Sequence, residues 1–166
     1  MARTKHLLDY IASQEDAVLM YSASDMVLAV HSDAGYHSKP KARSRAGGHF
    51  FLSTNADITP NNGIILNIAQ IIRAVMSSAE EVELGGLFIN AKEAVHIRNI
   101  LTEMGHPQPP TPIQTDNSTA NGVINNKIQQ KQTKAMDMWF HWIRDRETIL
   151  QLRFHWRPGT RKLADY

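Results

Sequence analysis

One unbroken helical stretch limits what this chain can fold into more than any other feature. From Ser78 to about Met104, residues Leu84, Leu87, Phe88, Ala91, Val95 and Leu101 recur at helical spacing and form an apolar stripe that has to be covered. Ser78 followed by Glu81 resembles a capping box that starts the helix. Gly105 ends it, and Pro107, Pro109, Pro110 and Pro112 prevent continuation. Gly85 and Gly86 lie inside it, each at a cost of about 1 kcal/mol relative to alanine. Close approach of a sheet or a substrate would explain them, and so would simple drift.

The rest of the chain divides around this helix. Before it, Thr4 to Ser13 reads as a short helix and Ala17 to Tyr21 as a short strand. Met26 to Ser32 is an apolar strand ending at Asp33. The glycine-, lysine- and serine-rich stretch Ala34 to Ala46 reads as a turn or loop, and Gly47 to Ser53 as a strand. Asn61-Asn62-Gly63 is a turn, Ile64 to Ala69 is a third strand, and Ile71 to Met76 continues it or bends away. After the helix come a short strand from Ile113 to Thr115, helices at Asn117 to Asn126 and Lys134 to Glu147, and a strand from Thr148 to Trp156. Pro158-Gly159 then turns the chain, and a last helix starts near Arg161. Strands first and α–β alternation afterwards predict a central sheet with helices packed on its faces.

A length of 166 residues fits one domain. The chain has no cysteine, which excludes disulfides and thiolate metal sites and fits a reducing compartment. Met1 to Gln14 carries no apolar leader, and Ile64 to Met76 is too short and too polar to span a bilayer, so no membrane partner is expected. The eight histidines show no zinc-ligand spacing. There is no glycine-rich phosphate loop and no nucleophile elbow, so no small-molecule cofactor is expected. Net charge is only +2, but basic residues flank the acids of the long helix on both sides, a layout that suits a polyanion.

Four acids stand at the edges of apolar segments: Asp33 in His-Ser-Asp-Ala-Gly-Tyr, Glu83 in Glu-Val-Glu-Leu-Gly-Gly-Leu, Asp116 in Ile-Gln-Thr-Asp-Asn-Ser, and Asp165 in Lys-Leu-Ala-Asp-Tyr. Each alone has a plainer reading. Asp116 would cap the helix that follows it, and the first-turn glutamates would answer the helix dipole. Together they are the ligand set that magnesium prefers, hard carboxylate oxygens brought from separate elements. Two such ions about 3.5–4 Å apart can hold the attacking and leaving oxygens of a phosphodiester displacement.

The stretches around these acids are similar to the ribonuclease H domain of copia-type LTR retroelement polyproteins. The matching stretches are 30–34, 42–50, 77–87, 115–120, 133–144 and 158–166, nearly the whole length, with residues 1–22 resembling the segment that leads out of a reverse transcriptase. The resemblance implies a ribonuclease H-like α/β fold: a mixed five-stranded sheet, its first three strands antiparallel, with helices on both faces. Residues 23–166 would be that domain, truncated at its C-terminus. It implies magnesium-dependent cleavage of the RNA strand of RNA–DNA hybrids with two Mg2+ ions, Mn2+ being a possible substitute. It also implies a reverse transcriptase domain of the same polyprotein as partner, and a cytoplasmic, virus-like-particle location. By the same resemblance Asp33, Glu83, Asp116 and Asp165 match the family's metal ligands, and Glu81 is then structural. Lys39, Lys41, Arg43, Arg45, Asn117, Lys134 and Arg157 are expected to contact nucleic acid. Ala135 stands where the family usually has histidine. The alternatives are a copy that binds nucleic acid or packs on reverse transcriptase without cleaving, and a DNA nuclease or integrase of the same broad fold.

Overall fold

The computed structural model describes residues 2–39, 43–56, 59–116 and 134–157. Its elements run α1 (Ala2–Ala12), β1 (Val27–Lys39), β2 (Arg43–Ser53), β3 (Ile64–Ile72), α2 (Ala79–Glu103), β4 (Thr111–Thr115), α3 (Lys134–Thr148) and β5 (Leu152–Trp156). The five strands form one sheet in the order β3-β2-β1-β4-β5. β1, β2 and β3 are antiparallel neighbours, while β4 lies parallel to both β1 and β5. This is the mixed sheet expected, with its first three strands antiparallel.

Period-two alternation decides which residues meet the helices. Leu28 and Val30 of β1, Phe50 of β2, Ile113 of β4 and Leu152 and Phe154 of β5 form one core with Leu84, Leu87, Ala91 and Ala94 of α2 and Ile143 of α3. Phe88 of α2 stacks on Trp139 and meets Trp142 edge-on, locking α3 to α2. Among the described residues, both sheet-packing helices thus share one face. The helices expected at 117–126 and from 161 onward lie outside the described residues.

The caps of α2 follow the sequence reading with one shift. The amide of Glu81 donates to Ser78 Oγ, but the Glu81 carboxylate reaches one residue further back, accepting from the backbone N and the Oγ of Ser77 at 2.7 and 2.9 Å. At the other end Gly105 takes φ +91, and the amide of His106 returns to the carbonyl of Leu101, closing a left-handed cap. The Arg98 guanidinium then donates to the carbonyls of Gln108 and Gln151, tying the turn before β4 to the turn before β5.

Two expectations fail. Residues 17–21 are not a strand: Val18, Leu19, Met20 and Tyr21 are exposed. Side-chain bonds fix the end of this arm instead, with Tyr21 Oη donating to the carbonyl of Ile64 and Asn62 Nδ2 to that of Ser22. Nor is 34–46 a loop throughout. β1 continues to Lys39 and β2 begins at Arg43, with Asp33 opposite Gly47, Ala34 opposite Ala46 and Lys39 opposite Arg43. Cross-strand backbone pairing overrides a composition that reads as a turn.

Candidate metal centre

Each acid reaches the centre by a different route. Asp33 lies within β1, not at its end, because the β1–β2 hairpin extends past it. Asp116 follows the last residue of β4, which pairs in parallel with β1. Glu83 lies in the second turn of α2. One carboxylate oxygen from each of the three lies within 4.8 Å of the other two, and all three residues are half-buried. Asp165 lies outside the described residues.

Small residues allow the helix to come this close. A Cβ on Gly86 would stand 2.9 Å from Ala34 Cβ and 3.1 Å from the Asp33 carbonyl oxygen. The turn of α2 just beyond Glu83 therefore rests directly on the strand that carries Asp33. One turn further on, fully buried Asn90 donates through Nδ2 to Ser32 Oγ at 2.8 Å and to the Gly47 carbonyl at 2.7 Å. It ties α2 to β1 and β2 beside Asp33, and a Cβ on Gly48 would run into its Oδ1. Asn90 escaped the sequence reading. Its signal was a lone amide at helical spacing among apolar residues.

Glu81 is not in the cluster, since its carboxylate is used at the helix cap. Of the basic residues, Arg43 is exposed and Arg45 half-buried on β2, and Arg157 is half-buried just past β5. Lys39 closes β1 and Lys134 opens α3, with their side chains outside the description. Lys41 and Asn117 lie outside the described residues.

Two residues before Asp33 and Asp116 come His31 and Gln114, which pair with each other, with His49 next to His31 and His155 next to Gln114. This polar row crosses the face of the sheet away from α2. Burial lowers the His49 pKa, partly offset by a hydrogen bond with the Asn67 side chain. Burial, with the charges of Arg153 and Arg157 added, brings His155 down to about 4. Trp156, for which the sequence offers stacking on nucleic acid or, more readily, a core position at the strand end, is 45% exposed, and its indole N–H donates to the Asp116 carbonyl at 2.7 Å.

Three half-buried carboxylates with oxygens this close suit a hard divalent cation such as Mg2+, which accepts one or two protein carboxylates and keeps the rest of its sites for water and phosphate. Among the described residues, no helix is long and apolar enough to cross a membrane.

No family model matches the chain. It is 25% identical over 141 residues to the retrovirus-related Pol polyprotein from transposon TNT 1-94 of Nicotiana tabacum. That match covers 85% of this chain but only 10% of the polyprotein, so the chain spans about a tenth of its relative's length. Among solved structures it is similar to the N-terminal RNase H domain of a Mycobacterium tuberculosis protein, with TM-score 0.57, 14% identity, and 82% of this chain and 86% of that one covered. LC11-RNase H1 in complex with an RNA/DNA hybrid gives TM-score 0.60 at 10% identity, covering 82% and 88%. These likenesses establish a ribonuclease H-like fold.

Proposed function

We propose that this chain is a magnesium-dependent ribonuclease that cuts the RNA strand of RNA–DNA hybrids, as one domain of a retrotransposon polyprotein. The observation that carries the reading is the convergence of Asp33, Glu83 and Asp116 from a strand, a helix and a strand end onto one point. The order and types of those acids are what such a nuclease needs, and the neighbour of TM-score 0.60 was solved with a hybrid bound.

In this reading Asp33, Glu83 and Asp116, joined by Asp165, hold Mg2+, with Mn2+ able to replace it. The bound ions would lower the pKa of a water and neutralise charge gathering on the phosphate oxygens. Water oxygen adds to phosphorus as the bond to the 3′ oxygen breaks, leaving a 5′-phosphate and a 3′-hydroxyl. The carboxylates, held near one another by the Gly86 and Asn90 contacts, would present their oxygens to a divalent ion without rearrangement. Lys39, Lys41, Arg43, Arg45, Asn117, Lys134 and Arg157 would contact the nucleic acid. Recognition of RNA would come from 2′-hydroxyl contacts across the minor groove. Residues 1–22 would lead from a preceding reverse transcriptase domain, and the polyprotein would act in a cytoplasmic particle.

The test is cleavage of a labelled hybrid with Mg2+, with Mn2+ and with chelator, beside duplex DNA and single strands. Cleavage confined to the hybrid, dependent on metal and abolished by Asp33→Asn or Asp116→Asn in folded protein, is expected. Full activity in both variants overturns the site. Hybrid binding with no Mg2+ uptake and no cleavage would establish the non-cleaving reading instead.

A further inference from the structure

We propose that Trp156 is a substrate-binding residue, an aromatic platform for the nucleotide next to the phosphate held at the acids. The inference rests on the ribonuclease reading above and specifies how that site holds its substrate.

Tryptophan is highly buried on average, though rarely covered completely. In β5, Leu152 and Phe154 are buried in the core, and Trp156 is the next residue on the same side. It remains 45% exposed. Its polar edge is nevertheless committed: the indole N–H donates to the carbonyl of Asp116 at 2.7 Å. That bond fixes the ring while leaving indole surface open, and an indole fixed in this way needs little further ordering when a ligand arrives.

Its position decides the ligand. Trp156 is the register partner of Thr115, the residue directly before Asp116. The indole is therefore hydrogen-bonded to the backbone of a residue whose carboxylate belongs to the metal cluster. A phosphodiester held at that cluster brings its flanking sugar and base to within a few ångströms, and an aromatic surface takes either by stacking.

The experiment measures steady-state hybrid cleavage by wild type, Trp156→Ala and Trp156→Phe, with equilibrium binding to labelled hybrid in chelator. Trp156→Ala should raise KM and Kd about 5- to 150-fold, the scale of one base stacked on an aromatic ring, with kcat within about twofold. Trp156→Phe keeps a ring but lacks the N–H, and should remain within about threefold of wild type. An equal loss in Phe and Ala would make the tether to Asp116 the working part and overturn the platform. As an independent reading, hybrid binding to wild type should protect tryptophan emission from acrylamide, and this protection should vanish in Trp156→Phe. Unchanged quenching on binding overturns the proposal even if Trp156→Ala fails to fold. A wild type that neither binds nor cuts the hybrid would refute the ribonuclease reading, whereas normal cutting with no response to Trp156→Ala would refute this inference alone.

Discussion

Two adjacent glycines in α2 should respond oppositely to the same substitution. Alanine in a helix interior is favoured over glycine by about 1 kcal/mol, so both positions begin with that gain. At Gly86 the new Cβ would lie 2.9 Å from Ala34 Cβ and 3.1 Å from the Asp33 carbonyl. Carbon pairs sit best at about 3.5–4.0 Å, so α2 must retreat from β1 by roughly half an ångström or more. Overpacking of this kind costs about 1–3 kcal/mol, which cancels or exceeds the helix gain. At Gly85 the nearest atoms are Met76 Cε at 3.1 Å, the far end of a flexible side chain, and Trp139 Cζ3 at 3.2 Å, so the misfit is smaller and meets no backbone. Gly85→Ala should therefore raise Tm by a few degrees and Gly86→Ala leave it unchanged or lower it, at about 2–4 °C per kcal/mol for a domain of this size. The retreat also carries Glu83 away from Asp33, so Gly86→Ala should weaken Mg2+ binding in calorimetry while Gly85→Ala does not. Ala34→Gly should partly rescue Gly86→Ala. Equal Tm shifts, or undiminished Mg2+ affinity in Gly86→Ala, would refute the claim that this contact sets the acid spacing.

Three further outcomes follow from the same structure. Glu81→Ala should cost about 1 kcal/mol through the lost cap and leave the Mg2+-induced rise in Tm intact; Glu83→Gln should do the reverse, little change without metal and no rise with it. Asn90→Ala removes the hydrogen bonds to Ser32 Oγ and the Gly47 carbonyl and empties a buried site, so urea unfolding should report a loss of about 2–4 kcal/mol, and a loss under 1 would discount the tie. His155, pushed down to about 4 by burial and by Arg153 and Arg157, takes up its proton later in the folded chain than in the unfolded one. The unfolded state therefore binds more protons between roughly pH 6.5 and 4, and stability, complete above that window, falls as pH drops through it. His155→Gln should flatten the slope of Tm against pH there, and an unaltered slope would contradict the assignment.

How much the sequence disclosed depended on how far apart the interacting residues lie. The course of α2 was legible because cap, stripe and stop are local signals, carried by Ser78, Leu84 to Leu101 and Gly105. The far half of the β1–β2 hairpin was not, since Gly35, Ser38 and Lys39 read as a turn until Asp33 is paired with Gly47. The apolar run 17–21 misled in the opposite direction: it has strand composition, but Tyr21 is held by its hydroxyl rather than by a ladder. For Trp156 the sequence favours a core place at the strand end over stacking on nucleic acid, and only the tertiary packing leaves it open beside Asp116.

The acids themselves were readable as types in order, but their convergence was not, because no acid determines it. The distance from Glu83 to Asp33 follows from how closely α2 can approach β1. That approach is set by Gly86 against Ala34 and by Asn90 against Gly48, four residues without charge. A carboxylate set of this kind is therefore encoded twice, once in the ligands and once in the small residues that let a helix touch a strand. It follows that a chain could keep all of its acids and still hold its metal less tightly because of a single methyl group at position 86.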